Sequence, residues 1–274
     1  MAKTQRSVKH RLLRLFLWLA GIVLAFLAYG ELLGWQTDYF VMAHYTASRL
    51  PFVNVAPQPL ADRTCSQAPG TALSYYGNSF DVPWKGITEE KRVGKVTVVK
   101  FDSGQVLMVW ASTGKRGFLE DVAEDKDTGS PAMRALFAED IKDTPYEQES
   151  ALLNITSAQV KFFNPPRVSE RDAFLLFFKG MSQDAELKTG AFEFQTPTVR
   201  GFQIGNPVNA RRTRLDFFDS TGDSLGEIIC FFGKGISARG TQAELNRIIQ
   251  TFHAVANIAA PSPSAKNPPH PAHR

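Results

Sequence analysis

Residues 191–232, AFEFQTPTVRGFQIGNPVNARRTRLDFFDSTGDSLGEIICFF, decide the fold. Apolar side chains alternate with polar ones in AFEFQT, VRGFQIG, TRLDFF and LGEIICFF, a period of two that sends successive side chains to opposite faces of a strand. The last two runs are joined by the turn-rich Asp219–Asp223 and are expected as antiparallel neighbours. Upstream, Lys95–Phe101 and Val106–Ala111 read as a hairpin across Asp102, Ser103, Gly104 and Gln105. Ser79–Val82 reads as a further strand.

Helices are marked by their starts. Ser130 before Pro131 supplies an N-cap and a pre-set first turn for PAMRALFAEDI. Thr144, Pro145 and Glu147 form a capping box ahead of TPYEQESALLNI, and Ser169 with Asp172 imitates that start. In DAFLLFFKGM, Phe174, Phe177, Phe178 and Met181 fall at helical spacing, and the overall apolarity argues burial on most sides. Thr241 and Glu244 open a last helix whose stripe is Leu245, Ile248, Ile249, Phe252 and Val255.

The amino terminus reads differently. Leu15–Gly30 carries no charge and follows Lys3, Arg6, Lys9, Arg11 and Arg14 with no acid among them. A span of a hydrocarbon core about 30 Å thick needs roughly 20 helical residues, which 15–35 supplies. Flanking cations hold their side in the cytoplasm, and Tyr29 and Trp35 suit the outer interface. A cleaved signal needs small residues one and three positions before the cut, and Phe26 spoils that pattern before Ala28. A retained anchor is therefore preferred to a cleaved signal or a buried core helix.

The expected fold is α+β: an N-terminal single transmembrane helix followed by one extracytoplasmic domain with an antiparallel sheet packed by helices. Residues 1–14 form a basic cytoplasmic tail, 15–35 the anchor, 36–69 a stalk that partly packs, and 70–258 the domain. The Pro-rich 259–274 has too little apolar content to offset the entropy of ordering and is expected to be disordered. The expected address is a single-pass membrane protein, amino terminus inside, in a bacterial inner membrane.

Composition narrows the partners. Of 31 Lys and Arg, five precede Leu15, which leaves 26 against 27 Asp and Glu. The domain is thus nearly neutral, and its one dense basic group, Arg211, Arg212 and Arg214, is too small for counterion-release binding, so nucleic acid is not expected. Expected partners are membrane lipid through the N-terminal helix and an envelope protein. The two cysteines, Cys65 and Cys230, are a candidate disulfide in an exported domain, the alternative being that Cys230 is an ordinary buried thiol.

No catalytic, cofactor or metal signature stands out. Of five histidines only His253 belongs to the folded region, where a solvated or capping-edge role is the simpler reading. H-E-x-x-H does not occur. Gly233, Lys234 and Gly235 have the wrong spacing for a phosphate loop. Asp121, Glu124, Asp125 and Asp127, ending at Gly129, gather oxygen ligands but lack the distal bidentate Glu of a calcium loop. Glu89 and Glu90 read as a helix-start or turn pair. Asn154, Ile155 and Thr156 make a sequon flanked by apolar residues in an expected helix.

The order of pieces, with YYGNSFDVPWKG before a hairpin, a helical middle, TRLDFF and EIICFF as paired strands and a closing amphipathic helix, resembles the PsbP-like α/β sandwich over Tyr75–Phe252. Phe80, Asp81, Val82, Pro83 and Trp84 are one residue tighter than the family's F-x-x-P-x-W element, and the middle, 115–183, is larger and more helical. The resemblance implies a non-enzymatic accessory or interaction role and carries no functional residue with it. The expected function is an accessory or binding module, with a hydrolase of unrecognised site or a carrier of an apolar ligand as alternatives.

Overall fold

The computed structural model describes residues 37–124, 130–183, 185–233 and 239–255, with scattered positions between 18 and 34. A first helix, α1, is described over 37–49, and the scattered described positions between 18 and 34 are helical too. A turn of 3-10 helix at Pro51–Asn54 leads to strands β1 (Gln58–Pro59), β2 (Thr71–Tyr75), β3 (Asn78–Val82), β4 (Ile87–Val93), β5 (Val96–Phe101) and β6 (Val106–Gly114). The helical middle holds α2 (Phe118–Glu124), α3 (Pro131–Leu136), α4 (Pro145–Asn154) and α5 (Pro166–Ser182). Then come β7 (Ala191–Gln195), β8 (Arg200–Ile204), β9 (Arg212–Phe218), β10 (Ser224–Phe231), α6 (Gln242–Thr251) and β11 (His253–Ala254).

Among the described residues eight strands form one sheet in the order β1-β7-β8-β9-β10-β6-β5-β4, and β11-β3-β2 form a smaller one. Alternation sorts the large sheet into two faces. Val99, Leu107, Val109, Leu215, Phe217, Ile228 and Cys230 meet Leu245, Ile248 and Ile249 of α6 and Phe80 and Val82 of the small sheet in the main core. Phe252 stacks on Phe217 with centroids 3.8 Å apart, so the end of the α6 stripe closes that core. The opposite face presents Phe202, Ile204 and Phe218 to Leu153 and Leu187. The remaining helices bury a third cluster around Leu119, Phe137, Leu152 and Leu176.

Two features of the expected fold are corrected. The sheet is mixed, because the chain after Pro57 returns along the outer edge of β7 and β1 joins it in parallel, Gln58 beside Phe192. Pro59 has no N–H to donate and suits that edge position. Among the described residues no helix is long and apolar enough to cross a membrane. Most of 15–35 lies outside the described residues, as do 1–14 and 259–274. The continuously described part of α1, 37–49, carries Asp38, His44 and Arg49, and buries Ala43 in the helical cluster while Tyr39 meets Phe174 of α5. The segment expected as a stalk thus supplies a helix and an edge strand.

Local readings differ in instructive ways. Both capping boxes form: Thr144 accepts from the Glu147 N–H and Thr241 from the Glu244 N–H, with each Glu reaching back. Ser169 and Asp172 do not start α5, which begins at Pro166 and buries both. The stripe expected inside α5 is partly outside, with Phe177 and Met181 exposed and Leu175 and Leu176 buried instead. Glu89 and Glu90 sit in mid-strand on β4, every residue of which is exposed; such a charged edge discourages stray strand pairing.

Lys179 is the least expected core residue. It is fully buried, and its Nζ donates to the carbonyls of Val55, Leu153 and Ile155 at 2.8, 2.6 and 2.9 Å. Two of these lie at the end of α4, where helix carbonyls lack intrahelical partners. The ammonium therefore pins α4, α5 and the 3-10 segment together. Burial draws its pKa down to about 8.

Candidate functional site

Where the helices stop covering the large sheet, a cleft of about 300 Å³ opens beside α4. Its floor comes from three adjacent strands. Trp110 on β6, Glu227 on β10 and Asp216 on β9 stand in one row, since Glu227 is the register partner of both others. Cross-strand partners share a face, so the three side chains project together. A register irregularity between Ser224 and Gly226 immediately precedes Glu227. Gly226 has φ +143°, and a Cβ there would lie 2.9 Å from the Trp110 carbonyl, so this kink requires glycine.

Charges fill the inner end. Arg214, two residues before Asp216 on the same face, donates to Asp216 at 3.0 Å and to Glu149 of α4 at 2.8 Å. All three side chains are nearly buried. The Gln183 amide also donates to Glu149, at 3.1 Å, while its buried Oε1 finds no partner among the described residues. Burial pushes the Asp216 carboxyl well above the usual carboxylate range, Arg214 opposes the rise, and Glu227 and Glu149 add to it. At the outer rim Arg116 pairs with Asp121 and with Glu124. The lining thus contains four carboxyls, Asp121, Glu149, Asp216 and Glu227, against Arg116 and Arg214.

A half-exposed indole beside surplus carboxylates is suited to a cation. The ring face attracts positive charge, and a carboxylate pair held close gains most from a counter-charge where water is partly excluded. Donors such as guanidinium or ammonium can also meet several carboxylate oxygens at once.

The residues singled out from sequence are scattered. Cys65 is partly buried beside α6, next to Ser66, whose N–H donates to the Ala243 carbonyl at 2.9 Å. Cys230 faces the main core. Both are free thiols, unjoined, and burial raises the pKa of each. Asp121 and Glu124 turn towards Arg116, while Asp125, Asp127 and Gly129 lie outside the described residues, as do Lys234 and Gly235. Among the described residues no group of three or more His, Cys, Asp or Glu could hold a metal ion. Arg212 pairs with Glu186 and Arg214 with Glu149, so two of the three clustered arginines are engaged in ion pairs.

Glu149, Asp216 and Glu227 escaped the sequence reading, although a signal existed. Arg214 and Asp216 occupy the face of TRLDFF opposite Leu215 and Phe217, an ionic pair at the positions where a second apolar face would be expected. Glu227 interrupts LGEIICFF in the same way. No family model, curated protein or solved structure matches this chain.

Proposed function

We propose that the chain is a binding module whose cleft takes a basic group, an ammonium or guanidinium presented by a protein partner. The observation that carries this reading is the row Trp110, Glu227, Asp216, backed by Glu149: aromatic face, then carboxyls, in register on three strands. The cleft has room for one long side chain rather than a folded surface. An interaction role is also what the PsbP-like resemblance implies. The surplus of carboxyls explains why a basic residue, and not an acidic or neutral one, is the preferred occupant.

Calorimetric titration of the full chain with Nα-acetyl-arginine amide, Nα-acetyl-lysine amide and the neutral Nα-acetyl-norleucine amide tests this. Saturable binding of the two cationic amides, lost in Glu227→Gln, supports the reading. Equal binding of norleucine amide, or no binding of any of the three, refutes it.

A further inference from the structure

The small sheet carries a second constellation, remote in sequence from the cleft residues. His253 on β11 is the register partner of Ser79 on β3, and Ser79 Oγ lies 2.7 Å from His253 Nε2. The other ring nitrogen, Nδ1, is 2.8 Å from the Thr251 carbonyl. A carbonyl can only accept, so Nδ1 carries the hydrogen and Nε2 of the neutral ring presents its lone pair to the Ser79 hydroxyl. This is the relation of a nucleophile to its general base, with a main-chain oxygen as the group that fixes the tautomer.

The placement is outward and accessible. Asn78, Phe80 and Val82 turn into the core, which leaves Ser79 and Asp81 on the free face of β3, and His253 is exposed. A groove of about 410 Å³ adjoins the pair, its accessible wall formed by Ala72, Thr198, Gln250 and Thr251 over the buried Leu73, Phe80 and Phe252. Its mixed lining fits a short acyl chain. Asp81, the acid beside the pair, lies 3.7 Å from Arg247.

We infer that Ser79 and His253 form a nucleophile and base that cleave activated esters of short acyl groups. Ser79 Oγ bonds to the acyl carbon as its proton passes to His253 Nε2. The ester C–O bond then breaks, and Nε2 returns that proton to the departing alkoxide or phenoxide. Water, deprotonated by Nε2, attacks the acyl-serine, releasing the carboxylic acid and restoring the Ser79 hydroxyl. No redox partner is needed.

The test treats the full chain with a fluorophosphonate probe, locates the label by peptide mass spectrometry, and follows p-nitrophenyl butyrate hydrolysis in parallel. Label on Ser79, hydrolysis lost in Ser79→Ala, and labelling slowed at least tenfold in His253→Gln establish the pair. His253→Gln keeps a side chain able to hydrogen bond with Ser79 but cannot take a proton, and its thermal unfolding is compared with the parent to show that folding is intact. Failure to label Ser79, labelling at the parent rate in His253→Gln, or hydrolysis unchanged in Ser79→Ala overturns the inference. None of these outcomes bears on the acidic cleft, whose residues are untouched.

Discussion

Glu227 faces Asp216 directly across the β9–β10 ladder, and the two carboxyls share their face of the sheet with Arg214. Like charges placed so are unfavourable unless one takes a proton or a cation lies between them. Burial raises the Asp216 pKa from its ordinary 3.8, so between the unfolded and folded values the folded protein binds a proton there more tightly than the unfolded chain does. Such a group contributes stability that is complete below the unfolded pKa and is lost as pH rises through the folded one. In urea denaturation between pH 3.5 and 8, Asp216→Asn is expected to flatten this part of the stability profile. A profile that keeps the parent's slope would show that Asp216 does not titrate anomalously.

Arg214 is the only cation at the inner end of the cleft among the described residues, and it serves Glu149 and Asp216 together. Arg214→Met leaves both acids without it. Breaking a buried pair costs about 3–5 kcal/mol, and a loss in that range is expected here. Chemical denaturation at pH 7 measures it; a loss well under 1 kcal/mol would mean that the triad carries little stability.

Lys179→Met retains most of the volume but deprives the Val55, Leu153 and Ile155 carbonyls of their donor. Each buried acceptor left unpaired costs about 1–3 kcal/mol, so a loss of at least about 2 kcal/mol is expected. Hydrogen exchange should show the end of α4 opening more readily than α6. Uniform exchange across both helices would contradict the pinning role.

Thr241→Ala removes the cap of α6, while Glu244 stays tied to Trp84, whose Nε1 donates to it at 2.9 Å. Loss of an N-cap hydroxyl costs about 1 kcal/mol, and a fall in thermal midpoint with an unchanged far-ultraviolet spectrum is the expected readout. An undiminished midpoint would show that the Trp84 link alone secures the helix start.

Most of the sheet was legible because period-two alternation is set by the backbone itself, and the helix starts were legible because capping uses local hydrogen bonds. β9 and β10 fall where the runs TRLDFF and LGEIICFF place them, apart from the register irregularity between Ser224 and Gly226. The parallel β1 was hidden, since a two-residue edge pairing containing Pro59 has no sequence period to reveal. The burial of α5 was misread because Phe177 and Met181 are apolar without being inward, whereas Lys179 is inward without being apolar. The cleft was invisible for a related reason: Glu149, Asp216 and Glu227 lie far apart in the chain and meet only through register. Likewise Ser79 and His253 were separated by 174 positions.

The most direct test of the cleft reading places the probe on its aromatic wall. The chain has four tryptophans, and 5-fluorotryptophan labelling with Trp110→Phe as the assignment control identifies the Trp110 fluorine resonance. Titration with Nα-acetyl-arginine amide should shift that resonance saturably, leave Trp84 in place, and have no effect in Glu227→Gln. A Trp110 resonance that stays fixed under arginine amide, or moves equally with norleucine amide, would contradict the cation-binding account.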